Sequence, residues 1–326
     1  MMLKIQVQRK KMIKLYNEYS TYLKEKYGEK VYKLPVNIPC TCPNRDGTIG
    51  YGGCTFCAEV GTGFEMLDNS ISVKEQITIN MEYISKKYKA NKFIAYFQNY
   101  TNTYLEIEEF KKYINEAIME NVVEISVSTR PDCIADEYLE FLFSVQNEYG
   151  INITIELGLQ TANYHTLIAV NRGHTLAEFI DAALRIKKYN FEICTHVILN
   201  LPGDDLYDTV ETAKILSVLN IDQVKIHSLY IMENTIMGKM YKNNEINMIS
   251  KEEYIERVIV FLEYLNKDIV VQRLLGRAPK ENSLFVNWDT SWWKIKDEIL
   301  DKMLKEERYQ GSKCDTAYIM ACKKDV

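Results

Sequence analysis

Short apolar runs alternate with amphipathic stretches along most of the chain. The runs are rich in β-branched residues and predict six strands, at 35–40, 92–98, 122–129, 151–158, 192–199 and 223–230. The stretches between them have helical spacing and predict helices near 72–88, 107–119, 136–146, 175–189 and 205–219. Strands that alternate with helices indicate βα units, so the pattern predicts an α/β protein with a parallel sheet, either curled into a barrel or doubly wound.

Helix-start signals and charge refine the ends of this pattern. A Ser or Thr three residues before a Glu predicts helix N-termini at 72–75, 175–178 and 250–253. The first 30 residues have helical spacing and predict a basic N-terminal arm. We expect residues 31–240 to form the barrel core. We expect residues 241–326 to form a C-terminal α/β extension that packs on the barrel.

Polar segments follow every predicted strand, in contrast to the apolar runs themselves. They read TCPNRDG (41–47), QNYTNTY (98–104), STRPD (128–132), GLQTAN (158–163), NLPGD (200–204) and YIMENT (230–235). In both kinds of parallel α/β fold the chemistry lies at the C-terminal ends of the strands. The sequence therefore predicts that these six segments contribute to one site.

Composition narrows the class of protein. The chain has 326 residues, 47% of them apolar and 26% charged, with a net charge of −5. No apolar run is long enough to span a bilayer, and charges interrupt the apolar positions of the N-terminus, so we expect a cytoplasmic protein without a membrane partner. Residues 1–33 hold nine basic and three acidic residues. This excess fits either contact with a phosphate backbone or an ordinary solvated helix.

The segment after the first predicted strand, residues 41–71, has no periodicity and holds six of the 14 glycines. Cys54 and Cys57 form a C-x-x-C pair within it, and Cys42 and Cys40 precede them. A structural zinc ion would need all four cysteines as ligands. Three thiolates would instead suit a [4Fe–4S] cluster that keeps one iron free for another ligand. The spacing leaves both possibilities open.

The segment CPNRDGTIGYGGCTFC resembles the cluster loop of radical S-adenosylmethionine (radical SAM) enzymes, and more narrowly that of a bacterial subfamily related to the catalytic subunit of elongator. Further matching segments are AYFQNYTNTY (95–104), STRPD (128–132), ELGLQT (156–161), HVILNLPGD (196–204), KIHSLYI (225–231) and QRLLGRAP (272–279). The resemblance covers roughly residues 30–280. It implies a partial (β/α)6 radical SAM barrel with an N-terminal helical arm and a small C-terminal helical extension.

The resemblance also implies site residues. Cys42, Cys54 and Cys57 would ligate the [4Fe–4S] cluster, Phe56 would shield it, and S-adenosylmethionine (SAM) would chelate the free iron. Residues at the other strand ends would contact SAM: Gln98, Asn99, Ser128, Arg130, Glu156, Gln160, Ile198 and Asn200. The sequence departs from the family pattern at two of these places. Gln98 and Asn99 stand where many members have Gly-Gly-Glu, and Asn200 replaces a glycine.

Structural roles are alternatives for several of these side chains. Arg130 could simply form an ion pair with Asp132. Glu156 lies in an apolar run, and a buried acid is costly unless it is paired. His196 and His227 lie in predicted strands and could be core histidines whose hydrogen bonds are satisfied. These alternatives concern what each side chain touches, so they can be decided by the structure.

The reaction implied by the resemblance is reductive cleavage of SAM. The reduced cluster would form a 5′-deoxyadenosyl radical that abstracts a hydrogen atom, with a flavodoxin or ferredoxin as the electron donor. Because relatives in the elongator branch act on the wobble uridine of tRNA, we expect tRNA as the partner and the 5-substituent of that base as the target. The alternatives are a radical SAM enzyme of a small metabolite or porphyrin-like substrate, and a zinc-holding RNA-binding adaptor.

Overall fold

The computed structural model describes residues 14–58, 66–277 and 281–315, and one parallel sheet lies at its centre. The strands of this sheet are β1 (Val31–Val36), β2 (Lys92–Phe97), β3 (Val122–Thr129), β4 (Asn152–Gln160), β5 (Glu192–Ile198), β6 (Gln223–His227) and, after an intervening short strand β7 (Ile231–Met232), β8 (Val270–Arg273). The sheet curls into a half-barrel with helices on the outside, which confirms the α/β prediction. β7 pairs separately with β9 (Ser283–Phe285), antiparallel.

Helices connect the strands and cover the outer face of the sheet. They are α1 (Tyr19–Tyr27), α2 (Val73–Tyr88), α3 (Ile107–Glu116), α4 (Asp136–Tyr149), α5 (Tyr164–Ala169), α6 (Leu176–Lys187), α7 (Leu206–Val218), α8 (Ile236–Lys242), α9 (Lys251–Tyr264) and α10 (Trp292–Lys305). Within the described residues, none of the helices is both long and apolar enough to cross a membrane.

The predicted helix starts are confirmed at the N-caps. Ser72 and Thr175 each form a capping box, in which the N-cap side chain and the Glu three residues later exchange hydrogen bonds with the backbone of the first turn. At α9, Ser250 accepts a hydrogen bond from the backbone N–H of Glu253. Asp205 forms a further capping box with Asp208 at α7, which the sequence reading missed.

Side-chain alternation along β4 separates the core from the interior of the half-barrel. Ile155 and Leu157 are fully buried in the apolar core, together with Phe179 from α6. Glu156 points to the opposite face because successive side chains of a strand alternate. It therefore faces the concave interior, where it lines the cavity described below. The same geometry gives each strand one apolar face and one face that can carry chemistry.

The first strand begins four residues earlier than predicted. β1 spans Val31–Val36, whereas the apolar run suggested 35–40. Its residues pair in parallel with β2, and Pro35 is tolerated because β1 has a neighbour on one side only. The shift places Lys33 inside a strand and leaves Cys40 in the loop.

A seventh parallel strand, β8, extends the predicted six-stranded barrel. It pairs with β6 after the chain has passed through α9, although it lies in the segment expected to be a C-terminal extension. The rest of that segment packs on the outside: α10 contacts α9, and Lys302 pairs with Glu256 at 2.8 Å. The sequence reading missed β8 because four residues are too few for a clear periodic pattern.

The N-terminal segment is helical over a shorter range than predicted. Residues 14–18 are not helical, and the backbone N–H of Val271 in β8 donates to the carbonyl of Asn17 at 2.8 Å. In α1, Lys26 pairs with Glu192 at 2.7 Å. The hydroxyl of Tyr27 donates to Glu124 at 2.6 Å. The described part of the basic arm therefore packs against the N-terminal ends of the strands, and residues 1–13 lie outside the described residues.

Candidate functional site

Three of the clustered cysteines face one cavity at the C-terminal ends of the strands. Cys42, Cys54 and Cys57 line this cavity, which has a volume of about 430 Å³. That volume is within the range of small-molecule sites, roughly 300–1,000 Å³. Cys40 does not line it, and its thiol lies 3.5 Å from the backbone oxygen of Asn99. The structure thus separates the three thiols from the fourth.

An arginine side chain contacts each of the three sulfur atoms. The Nη1 atom of Arg45 lies 3.6 Å from the sulfur of Cys57. The Nη1 atom of Arg172 lies 3.6 Å from the sulfur of Cys54. The third contact, 3.8 Å, joins Nη1 of Arg130 to the sulfur of Cys42. Each of the three sulfur atoms therefore has a guanidinium group beside it, which can compensate the negative charge of a metal-bound thiolate.

Backbone and acidic partners hold these arginines in place. Arg130 follows β3 and makes a two-pronged ion pair with Asp132, at 2.9 and 2.6 Å. It also donates to the backbone oxygen of Arg172 at 2.8 Å. Arg172 in turn donates to the carbonyl of Gly158 on β4 at 2.8 Å. The ion pair with Asp132, which the sequence offered as an alternative role for Arg130, is present but buried, and the same side chain also contacts Cys42.

Gly158 makes the close approach of Arg172 possible. A Cβ atom at position 158 would lie 2.6 Å from Nη2 of Arg172, a distance that real Cβ atoms do not show. The site thus requires glycine on this part of β4, where the sequence ELGLQT places it. Any larger residue would displace the arginine from Cys54.

The thiols influence each other electrostatically. Burial raises the pKa of the Cys57 thiol to about 11, with a further contribution from the charge of Cys54, while Arg45 acts in the opposite direction. Burial also raises the pKa of Cys40, to about 12. Cys40 lacks an arginine among the partners found in the described residues, so the charge environment again distinguishes it from the other three.

The donor set fits an iron–sulfur cluster better than a single zinc ion. Tetrahedral zinc holds its sulfur ligands at about 2.3 Å, so that they crowd together, and it needs four of them. Among the described residues, the group that brings three ligand atoms within 4.8 Å of one another is Glu156, Cys194 and His196, not the cysteines of the loop. Three thiols spread around an open cavity suit a larger inorganic core with one free corner.

A buried charge network forms the floor of the same cavity. Glu156 is 1% exposed. Its Oε2 atom lies 3.0 Å from Nζ of Lys225 and 2.6 Å from Nε2 of His196. Its Oε1 atom accepts hydrogen bonds from Lys33 and from Ser126. Because two lysines bond to Glu156, the Glu156, Cys194 and His196 group is a charge network and not a cation site.

The pKa values of the floor follow from burial and from these charges. Burial alone would raise the pKa of Glu156, but Lys225 and Lys33 outweigh it and hold the pKa well below its usual value. Burial, assisted by Lys225, lowers the pKa of His196 to about 4. Burial lowers the pKa of Lys225 to about 8. At neutral pH the Glu156 carboxylate and the Lys225 ammonium are charged and His196 is neutral.

The structure brings together six of the nine residues expected to bind the cofactors. Those that line the cavity are Phe56, Gln98, Ser128, Arg130, Glu156 and Gln160. Three others lie outside its lining. Asn99 contacts Asn37 at 3.4 Å, Asn200 accepts a hydrogen bond from the backbone N–H of Leu229 at 2.7 Å, and Ile198 is buried in a small apolar cluster. Contacts between these three residues and SAM stay predictions.

Six basic side chains of the cavity were not among the site residues predicted from the sequence. Lys33 and Lys225 occupy alternate positions of short strands, which a search for charged residues on one face of an apolar run would have found. Arg45 lies within the segment CPNRDG, and Arg273 and Arg277 lie within QRLLGRAP. No sequence signal marks Arg172, which follows α5 in a loop.

The histidine side chains of β5 and β6 have hydrogen-bond partners, as the sequence suggested. His196 bonds to Glu156, and the Nδ1 atom of His227 lies 2.6 Å from Nη2 of Arg273. Both side chains nevertheless line the cavity rather than the apolar core. Their rings lie 5.0 Å apart, centroid to centroid.

Comparison with known proteins gives matches over most of the chain. A family described as the radical SAM superfamily matches residues 37–216, and the radical SAM C-terminal domain matches residues 221–305. The uncharacterized protein YtqA of Bacillus subtilis is 31% identical over 299 residues, which is 91% of this chain and 92% of YtqA. Protein YhcC of Escherichia coli is 32% identical over 300 residues, 92% of this chain and 95% of YhcC.

Two further similarities cover smaller shares of larger proteins. The tRNA uridine(34) acetyltransferase of Methanocaldococcus jannaschii is 28% identical over 176 residues, which is 53% of this chain and 31% of that enzyme. Among solved structures, Elp3 of Methanocaldococcus infernus superposes with a TM-score of 0.66 at 18% identity, over 86% of this chain and 64% of Elp3. At that identity the superposition shows a shared fold.

Proposed function

The chain belongs to the radical SAM superfamily, and from this membership we propose that it modifies the 5-substituent of the wobble uridine in tRNA. Its cofactors are those of the family, a [4Fe–4S] cluster and SAM. When bound, the cluster supplies the electron that cleaves SAM to a 5′-deoxyadenosyl radical. The protein's part is to hold these groups, orient the substrate and exclude solvent.

We assign the ligands of the cluster to Cys42, Cys54 and Cys57. The support is that these three thiols share one cavity, whereas Cys40 bonds to the backbone outside its lining. The arginine beside each sulfur compensates negative charge that a thiolate-bound cluster brings into a partly buried site. We also propose that the predicted SAM contacts that line this cavity bind SAM there. These residues are Gln98, Ser128, Arg130, Glu156 and Gln160.

The charge of the cavity carries the proposal of a nucleic-acid substrate. Seven cationic side chains line it, against one carboxylate, although the chain as a whole has a net charge of −5. The cationic residues are Lys33, Arg45, Arg130, Arg172, Lys225, Arg273 and Arg277. Such a local concentration of positive charge attracts a polyanion even though the protein as a whole has a negative net charge.

Aromatic residues at the cavity suit an unpaired base. Tyr100 and Tyr230 both line it, and aromatic side chains stack on bases that have been turned out of a loop. The wobble base lies in the anticodon loop, where this movement is cheap. The similarity to a tRNA uridine(34) acetyltransferase supports the same base as the target. We further propose a flavodoxin or ferredoxin of the cytoplasm as electron donor.

Nucleoside mass spectrometry of total tRNA tests this function. Deletion of the gene should change the modified nucleoside at the wobble position, and a plasmid copy should restore it. A plasmid with Cys42, Cys54 and Cys57 replaced by serine should not restore it, whereas the Cys314→Ser variant should, because Cys314 lies outside the cavity lining.

An unchanged wobble nucleoside in the deletion strain would overturn the tRNA proposal. The remaining substrate class would then be a small metabolite or a porphyrin-like molecule. Release of 5′-deoxyadenosine from SAM by the reduced protein, measured without tRNA, reports on the radical chemistry separately. The two assays therefore distinguish a wrong substrate from a wrong reaction.

A further inference from the structure

The floor of the cavity has more positive than negative charge. We define the floor cluster by the charged and imidazole side chains that line this part of the half-barrel: Lys33, Glu156, His196, Lys225, His227 and Arg273. Among the described residues, the ion pairs of this cluster all use Glu156, and Arg273 takes part in none of them. The floor cluster thus contains two lysines and one arginine but a single carboxylate, and only the lysines pair with it.

Glu156 has no capacity left for Arg273. Its two oxygens already accept from Lys33, Ser126, His196 and Lys225. Lys225 also donates to the hydroxyl of Tyr96, at 2.8 Å, so these two bonds use two of its three N–H donors. The network is therefore complete without Arg273, and no carboxylate in the described part of the chain forms an ion pair with its guanidinium.

Arg273 is held in place by neutral partners. Its Nη2 atom lies 2.6 Å from Nδ1 of His227, and a ring nitrogen can accept this hydrogen bond in the neutral imidazole. Burial and the charge of Arg273 hold the pKa of His227 well below its usual value, which keeps the ring neutral. The buried Nε atom of Arg273 has no hydrogen-bond partner among the described residues.

The register of the sheet aligns three side chains of the floor cluster on neighbouring strands. His196 on β5 is paired with Lys225 on β6, and Lys225 is paired with Arg273 on β8. The three side chains therefore form a row across the concave face. This row lines the same cavity as the three thiols, so a molecule that enters beside the cofactors can reach it.

We propose that Arg273 and Lys225 bind an oxoanion of the substrate, a carboxylate or a phosphate, at the floor of the cavity. The proposal rests on the proposed function to the extent that the substrate occupies this cavity. Arg273 is half-buried and its Nε atom is fully buried, so an unpaired charge there is costly, and an anionic ligand removes that cost. The planar guanidinium supplies two parallel donors that match carboxylate and phosphate oxygens.

Fluorine NMR with small probes tests the site on the cluster-containing protein with oxidised cluster, at fixed ionic strength. Trifluoroacetate is the carboxylate probe, monofluorophosphate is the phosphate probe, and trifluoroethanol is the neutral control. We expect saturable line broadening of one or both anions and none of trifluoroethanol. The anion that binds more tightly identifies the group on the substrate.

Variants locate the binding. Arg273→Gln should weaken the anion probe at least about tenfold, because it removes charged hydrogen bonds, and Arg273→Lys should weaken it less. Arg185→Gln is the matched control, since Arg185 lies on α6 with Asp136 and Asp181 as partners and should leave binding unchanged. The Tm of each variant shows that the protein is folded.

Measurements of SAM binding distinguish an anion site at the floor from the site of the cofactor. We expect SAM to bind the Arg273→Gln variant with unchanged affinity and the anion probe to bind in the presence of SAM. Displacement of the probe by SAM would assign the anion to the methionyl carboxylate and overturn the proposal, as would undiminished probe binding in Arg273→Gln. These results do not depend on tRNA, so an unchanged wobble nucleoside with intact probe binding would refute the tRNA target alone.

Discussion

At the scale of single residues, the site consists of charge pairs between distant parts of the chain. Arg172 is buried beside Cys54 and also bonds to Gly158, so its guanidinium has little freedom to leave the sulfur. Residues that support metal ligands in this way tune the affinity of the site without binding the metal. The three arginines are therefore expected to matter for retention of the cluster.

Substitution Arg172→Gln should lower the iron affinity about tenfold, the lower end of the usual effect for a residue that supports a ligand. Arg172→Lys, which keeps the charge, should retain more iron than Arg172→Gln. Iron and sulfide per protein, measured after anaerobic reconstitution and desalting, give the result, and Arg185→Gln is the control on an outer helix. Full iron content in Arg172→Gln would show that the arginine does not help to hold the cluster.

Substitution Glu156→Gln should destabilise the protein by about 3–5 kcal/mol, because it leaves Lys33 and Lys225 without their shared counterion. Urea unfolding measures the change. The double variant Glu156→Gln with Lys225→Met removes one of the orphaned charges and should regain part of the loss. Equal stability of the single and double variants would contradict the charge argument.

At the scale of elements, short-range rules account for the helices better than for the strands. Helix N-termini carry their signal within four residues, as at Ser72 and Thr175, and these starts were predicted to the residue. Strand limits depend on the neighbour with which a strand pairs. β1 was displaced by four residues and β8 was missed for that reason.

The N-cap of α2 provides a test at this scale. Ser72→Ala should lower the free energy of unfolding by about 1 kcal/mol, because it removes the acceptor of the Glu75 backbone N–H. Chemical unfolding followed by circular dichroism measures it. Thr78→Ala, on an exposed part of the same helix, should change stability by less than about 0.5 kcal/mol. A similar loss in both variants would rule out a specific capping effect.

At the scale of the whole molecule, the half-barrel collects charges inside an otherwise apolar sheet. The cost of this arrangement is reduced by pairing, as between Glu156 and its lysines, and by keeping histidines neutral. The pH dependence of stability follows from the same groups. His174 and His227 also have pKa values lowered by burial, so they act in the same direction as His196.

Acid should destabilise the folded protein through these groups. The pKa of His196 is about 4 in the folded state against 6.5 for a free histidine, so the unfolded chain binds more protons and stability falls as pH drops from 6.5 toward 4. The full loss from His196 is about 3 kcal/mol. His196→Gln should flatten the slope of unfolding free energy against pH in this window, relative to the unsubstituted protein. An unchanged slope would contradict the assignment of a neutral His196.

The sequence by itself determined the α/β alternation, the helix starts, the polar strand ends and the three-cysteine loop, because each is encoded by spacing within a few residues. Only the tertiary structure decided which arginine meets which sulfur and that Lys33 and Lys225 pair with one carboxylate. These partners come from separate strands and loops. Their meeting depends on the register and curl of the sheet, which local patterns do not contain.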